Sequence, residues 1–269
     1  MADLGLSEFT FEFSFLYEQV SKNWNNLQTF PLLPSLIKEN KIGWDAMLPT
    51  KGAMYYYQFK QSELFYRGNA KYISDGTYHA PYFRIKLHKA DYNKQHRILW
   101  KWAKRHPYNN TYYVAPEMVD KSEFRNAFLS HTVVSNSRLI PLTKCVNYSP
   151  NDNNQHYITY QQNVLGFYQF SETKKSEGDI FGKDLGKAYE KNRSNFVNID
   201  NEYANDLLND AISFTQEILE EYDIDRDKEH PSKIESDNVT YKLMHMAKIL
   251  WITLGVVTVL VGEREEASK

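Results

Sequence analysis

The sequence predicts an α/β fold: a central mixed β-sheet flanked by helices, with further helices at the C-terminal end. Three observations carry that expectation. Met54 to Lys60, Tyr82 to Leu87 and Thr111 to Ala115 are short segments rich in β-branched and aromatic residues, bounded by turn signals. Between and before them, apolar residues recur at helical spacing. The chain has 269 residues, 42% hydrophobic and 25% charged, enough for a sizeable core and unlike a disordered composition.

The first helix is predicted from Ser7, an N-cap followed by acidic Glu8, to about Asn23. Phe9, Phe13, Leu16 and Val20 recur at helical spacing and are expected to form its buried stripe. Glu12 lies beside that stripe among Phe11, Phe13 and Phe15, where a carboxylate needs a partner or a metal. Glu18 falls on the opposite side and reads as a surface charge.

Pro31 and Pro34 make residues 30–37 an extended connector. Ala46-Met47-Leu48 and Met54 to Lys60 follow as strand-like pieces, then a polar loop from Gln61 to His79. After the strand at Tyr82 to Leu87, residues 93–105 form a helix. Ile98, Leu99, Trp102 and Ala103 face inward; Lys94, Arg97, Lys101, Lys104 and Arg105 face outward. The next strand stops before Pro116, and a further helix covers Ser122 to Leu129.

From about 145 to 200 the chain is Asn-, Ser- and Gly-rich and reads as irregular. An amphipathic helix spans Tyr203 to Glu221. The acidic run 223–229 lacks the glycine and bidentate glutamate of a calcium loop and reads as a solvated linker. The apolar run Ile249 to Val261 is shorter than the roughly 20 residues of a membrane helix. Gly255 divides it into a helix end, Leu243 to Leu254, and a strand, Val256 to Val261. The organisation expected is a core at 1–145, an irregular insertion at 146–202 and C-terminal helices with a strand at 203–269, in one compact domain.

Cys145 is the single cysteine, which excludes an internal disulfide and a cysteine zinc site. With no secretory signal at the N-terminus, a cytoplasmic location is the expectation. The net charge of −2 hides an asymmetry. Residues 1–170 hold nineteen Lys/Arg against thirteen Asp/Glu, whereas residues 171–240 hold nine against eighteen. A basic part beside an acidic one suits a nucleic-acid face, and equally suits solvated surfaces with no partner.

The chemistry concentrates in two short stretches. Gly43-Trp44-Asp45 ends one extended segment, and thirteen residues after Asp45 comes Gln58-Phe59-Lys60. On a strand Gln58 and Lys60 share a face. In a hairpin, Asp45 would come level with them, and a carboxylate, an amide and an ammonium would converge on one small space. Taken singly, Lys60 is equally an edge charge and Gly-Trp-Asp an ordinary turn.

The helix bearing Glu12, then Asp45, then Gln58-Phe59-Lys60, then strand, helix and strand, resembles the PD-(D/E)XK superfamily of restriction-endonuclease-like nucleases. The resemblance covers mainly residues 7–115. Gln58 stands where the family usually has Glu, a variant also found in methylation-directed restriction nucleases. The resemblance implies a restriction-endonuclease-like core and a metal-dependent nuclease, with DNA as substrate and a role in restriction or antiviral defence. It implies a Mg2+ or Mn2+ ion held by Asp45, Glu12, Gln58 and the Phe59 carbonyl, with Lys60 orienting or deprotonating the attacking water.

Lys94, Arg97, Lys101, Lys104 and Arg105 would contact phosphates, or merely face solvent. Gln95 and His96 begin the same helix; Gln95 is a candidate site residue, and His96 reads as a structural surface histidine. The alternative to catalysis is an inactive nuclease-fold protein that binds nucleic acid or a partner protein. A homo-oligomer or a larger defence complex is a further expectation, and a membrane partner is not.

Overall fold

A computed structural model describes residues 2–3, 5–22, 53–67, 71–74, 76–79, 81–87, 94–105, 110–149, 152, 154–170, 174–191, 201–221, 238–254 and 257–261. The strands are β1 (Ala2–Asp3), β2 (Ala53–Phe59), β3 (Ser62–Phe65), β4 (Tyr82–Lys86), β5 (Asn110–Pro116) and β6 (Ser137–Pro141), then β7 (Tyr157–Gln161), β8 (Phe167–Phe170), β9 (Lys174–Ser176), β10 (Ile180–Phe181) and β11 (Val257–Val261). The helices are α1 (Glu8–Lys22), α2 (Lys71–Ser74), α3 (Lys94–Arg105), α4 (Lys121–Leu129), α5 (Leu185–Lys191), α6 (Asn201–Glu221) and α7 (Val239–Leu254).

The fold is α/β, with two sheets where the sequence suggested one. A six-stranded sheet runs β1-β3-β4-β7-β8-β9, and each of its five pairings is antiparallel. The chain divides into two compact units, at boundaries other than the expected ones. The first comprises Met1–Lys22, Gln58–Lys104 and Thr111–Ala188; the second comprises Asn23–Tyr57, Arg105–Asn110 and Tyr189–Lys269.

In the first unit the six-stranded sheet is built on alternation in β4. Phe83 and Ile85 are fully buried, while Arg84 on the opposite face lies 4.4 Å from both the Phe65 and Tyr157 rings and donates from Nε to Glu63 at 2.8 Å. The same unit holds β5, β6 and β10, antiparallel in sequence, with Val114 opposite Leu139 and Ile180 opposite Leu139. Two expectations are corrected here. The loop expected from Gln61 to His79 contains β3 and α2, because Ser62 to Phe65 pair with β4 although four residues carry too little pattern to read as a strand. The expected irregular insertion at 146–202 holds β7 to β10 and α5; its Asn-rich connections hid the alternation of Tyr157-Ile-Thr-Tyr.

The first unit also buries a cation. Arg138 is fully buried, and each of its five N–H groups is bonded. Nε donates to Glu117 at 2.8 Å, and a second nitrogen reaches the same carboxylate; the others meet Asp179 and the carbonyls of Val164 and Gln161, both at 2.9 Å. The Phe181 ring lies 4.4 Å from the guanidinium and Tyr160 covers it at 5.2 Å. Burial raises the Glu117 pKa, opposed by Arg138.

Helix α1 begins where expected, with the Ser7 hydroxyl accepting the Thr10 N–H at 3.0 Å. Its buried face differs from the expected stripe. Phe11, Phe15 and Leu16 are buried, whereas Phe9 is 52% and Phe13 46% exposed. Phenylalanines at every second position present aromatic groups to both sides of a helix, so periodicity alone does not select the inner side. Glu18, expected at the surface, is 1% exposed: its carboxylate accepts the Val134 N–H at 2.9 Å and pairs with Lys22. A backbone donor supplied from far along the chain makes that burial affordable.

In the second unit, residues 53–57 of β2 pair antiparallel with β11, Val259 opposite Tyr55. Helices α6 and α7 pack on each other, α6 burying Ala204, Leu207, Leu208, Ala211, Phe214 and Ile218 at helical spacing. The apolar run ending the chain divides near Gly255 into α7 and β11, as expected. Among the described residues no helix is long and apolar enough to cross a membrane.

Candidate functional site

The site is built where α1 meets the end of β2. The Phe59 ring makes edge-on contacts with Phe15 at 5.3 Å and Phe11 at 5.7 Å, and all three rings are buried. These contacts fix α1 against the strand carrying Gln58-Phe59-Lys60. Lys60, the first residue beyond β2, donates its backbone N–H to Val114 of β5 at 2.9 Å. Being past the strand, its side chain is free of strict alternation, and its ammonium reaches the Glu8 carboxylate on α1 at 3.7 Å. The Lys60 side chain is 12% exposed and that of Glu8 42%, so the pair is partly open to solvent.

Glu12 lies one turn on from Glu8, on the same side of α1, and is 6% exposed. Gln58 is 5% exposed, and its amide nitrogen points at the Phe59 carbonyl, 3.4 Å away. The Phe59 carbonyl, an expected metal ligand, accepts this contact with one lone pair and keeps a second. Asp45, the expected principal ligand, and the strand expected at Ala46 to Leu48 lie outside the described residues, as do the 30–37 connector and the 223–229 linker. Among the described residues no group of three His, Cys, Asp or Glu could hold a metal ion. Glu12, Gln58 and Asp45 together are an oxygen-only set, the chemistry of Mg2+ or Mn2+ rather than of zinc.

His96 on α3 belongs to this neighbourhood and is corrected from a surface residue to a buried one, 1% exposed. Its Nε2 lies 2.9 Å from the Val146 carbonyl and its Nδ1 2.7 Å from the Tyr113 hydroxyl. A carbonyl only accepts, so Nε2 carries the proton and Nδ1 accepts from Tyr113. Burial lowers the His96 pKa to about 4; the Val146 bond opposes the shift, and the charges of His156 and Lys60 add to it. The imidazole is therefore neutral near pH 7 and stacks with Tyr113 at 5.9 Å, while Tyr148 packs tilted at 5.0 Å. Tyr148 in turn stacks on His156 at 3.5 Å. Gln169 ties the layer together, accepting the Val146 N–H at 2.7 Å.

The same loop holds Cys145, which is buried, with its Sγ 3.6 Å from the Pro141 carbonyl and its thiol pKa pushed up by burial. The sequence reading missed Glu8 and Tyr113 as neighbours of the site. The spacing of Glu8 and Glu12, one helical turn apart, was the available signal for Glu8. Nothing in the sequence pointed to Tyr113, whose role depends on α3 meeting β5.

The basic helix is only partly as expected. Ile98, Leu99, Trp102 and Ala103 are buried as predicted. Lys104 is exposed with its ammonium 5.3 Å from the Trp100 ring, and Arg97 and Lys101 are half-buried. Arg105 is not a free cation: it is paired with Asp210 and Glu217 of α6 and lies over the Phe214 ring. The sequence separation of more than a hundred residues hid that pairing. The side chains of Lys94 and Gln95 lie outside the described residues.

No family model, no curated protein and no solved structure matches this chain.

Proposed function

We propose that the chain is a divalent-metal-dependent phosphodiester hydrolase acting on nucleic acid, with DNA as the first substrate to test, on a restriction-endonuclease-like core. One observation carries the reading: Phe11 and Phe15 clamp Phe59 so that Glu8 of α1 stands beside Lys60 at the end of β2. Glu12 and Gln58, with Asp45, would hold Mg2+ or Mn2+, and the ion would supply charge neutralisation at the phosphate and a more acidic water. Lys60 orients the attacking water and stabilises the charge developing on the phosphate oxygens. Glu8 holds the lysine in the absence of substrate. Lys104, Lys101 and Arg97 supply phosphate contacts along α3, without Arg105.

The test is cleavage of plasmid, linear and single-stranded DNA and of RNA with magnesium or manganese, against Lys60→Ala. Metal-dependent cutting lost in the variant supports the reading. No cutting by the folded wild-type protein defeats it.

A second reading is favoured by the Lys60–Glu8 pair, in which the lysine is already matched by a carboxylate. In it the fold is catalytically silent and binds nucleic acid or a partner protein. Nucleic-acid binding that persists in chelator, with no cutting under any metal, would establish this version. Restriction or antiviral defence, as a homo-oligomer or in a larger complex, is a role either reading could serve.

A further inference from the structure

We propose that the outer face of α1, with the adjoining end of α4, is a binding surface for single-stranded nucleic acid. This deepens the hydrolase reading by naming a single strand as its substrate. It rests on that reading for what becomes of the bound strand, whereas binding can be measured without cleavage.

The first observation is the misplaced stripe of α1. Phe9, Phe13 and Tyr17, each one turn apart, are 52%, 46% and 43% exposed. Three neighbouring aromatic side chains left to solvent on one helix are an exposed apolar patch that calls for a ligand. Phe13 and Tyr17 are nearly parallel, 16° apart, with ring centroids separated by 6.3 Å. One helical turn advances about 5.4 Å, well beyond the ~3.4 Å per nucleotide along one strand of a duplex. Such rings match bases drawn apart in an open strand rather than bases stacked in a duplex. A duplex in any case hides its base faces, whereas every unpaired base offers one to an aromatic ring.

The second observation extends the platform. Tyr17 lies 5.8 Å from both the Phe128 and the His131 rings. His131 holds a left-handed backbone, φ 52°, in the turn after α4, where glycine is the usual residue. That turn closes with Thr132 donating to Ala127 at 2.8 Å and His131 to Phe128 at 3.2 Å. A side chain is retained there at a conformational cost, and it lies exposed beside Tyr17.

The third is charge. Helix α4 runs alongside α1. Its Lys121 lies beside Gly5, just before α1, and its Phe128 lies beside Tyr17 near the other end of α1. Lys121 and Arg125, both exposed and one turn apart, have no acidic partner among the described residues. The nearby acids are engaged: Asp120 accepts the Glu123 N–H at 2.8 Å, Glu123 the Val119 N–H at 2.7 Å, and Glu18 both Lys22 and Val134. Free cations beside exposed rings are the two components of a sequence-tolerant single-strand site. A neutral or basic protein partner would leave those cations unmatched.

The test is fluorescence anisotropy of labelled 15-nucleotide dT and rU oligomers and of a 20-base-pair duplex, in EDTA so that no cutting intervenes. Phe13→Leu combined with Tyr17→Leu keeps apolar bulk and removes the ring faces; Arg125→Glu reverses one charge. The expected result is single-strand binding weakened about tenfold in the double variant, in line with lost base stacking. Duplex binding and the thermal midpoint should be unchanged. Arg125→Glu should weaken binding and lower the salt slope by about one. The proposal is overturned if the wild-type protein ignores both oligomers, if the double leucine variant binds them equally well, or if duplex binding falls in parallel. Each of those results leaves the Lys60→Ala cleavage comparison unaffected, so the two readings fail separately.

Discussion

The Tyr113 hydroxyl donates to Nδ1 of His96 across 2.7 Å while the opposite ring nitrogen is held by the Val146 carbonyl, so a fully buried histidine is locked in one neutral form. Protonating that ring would break the Tyr113 bond or force the hydroxyl to turn.

A pH dependence follows. With the folded pKa lowered to about 4, the unfolded chain binds the proton more readily. His96 therefore favours folding above its ordinary value near 6.5, and that contribution is lost as pH falls from there to about 4. The full loss is about 3 kcal/mol, from the size of the shift. Glu117 acts in the opposite sense, since its raised pKa favours the fold in acid. Urea unfolding of wild-type and His96→Gln proteins from pH 7 to pH 4 separates them: the variant should be less stable at pH 7 and show a flatter acid slope. Parallel slopes would mean that His96 does not titrate as described.

Arg138 is expected to tolerate no neutral replacement. Arg138→Met leaves Glu117 and Asp179 buried without their shared cation, at a cost of about 3–5 kcal/mol. Replacing all three by apolar residues of matched volume should recover much of the loss. Chemical denaturation of the single and triple variants measures both.

Lys60→Ala should abolish metal-dependent cleavage while moving the thermal midpoint by no more than about 3 °C, since a 3.7 Å pair whose carboxylate is 42% exposed contributes little. Glu8→Gln should slow cleavage about tenfold rather than abolish it, because the lysine remains but is less well held. Single-turnover rates for both variants give the comparison. A collapse of the midpoint in Lys60→Ala would make the residue structural.

On α3 the prediction divides neighbours. Lys101→Glu with Lys104→Glu should weaken nucleic-acid binding and flatten its salt dependence, whereas Arg105→Gln should leave both unchanged and lower stability instead, since Arg105 serves Asp210 and Glu217. Binding titrations at several salt concentrations decide this.

Gly182 is a steric test of the first unit. A Cβ there would lie 1.6 Å from the Val134 carbonyl oxygen, so backbone must shift. Gly182→Ala should cost about 3 kcal/mol, read as a lower urea midpoint at unchanged slope.

The elements legible in the sequence were those with a single clear period. Helix α3 announced itself by Ile98, Leu99 and Trp102 against its lysines, and β4 by Phe83 and Ile85 flanking Arg84. Helix α1 was legible as a helix but not in its orientation, because Phe9, Phe11, Phe13 and Phe15 offer two aromatic faces and only Phe59 determines which is buried. Strands β3 and β8 are four residues each and carry little pattern alone. The site was half visible. Gln58 and Lys60 could be named from their spacing and Glu8 was hinted at by its distance from Glu12, but the pairing of His96 with Tyr113 joins distant segments, which spacing does not encode.

Cys145 decides how the protein can be labelled. The chain's one thiol is buried, its Sγ against the Pro141 carbonyl, and its ionisation is suppressed, so maleimide reagents should leave the native protein untouched. A cysteine introduced at an exposed position then becomes a unique attachment point without prior removal of the natural one. Phe9→Cys would put a dye at the N-terminal end of the aromatic face of α1, and Leu129→Cys a second at the end of α4, so that a strand laid between them could be followed by distance and in real time.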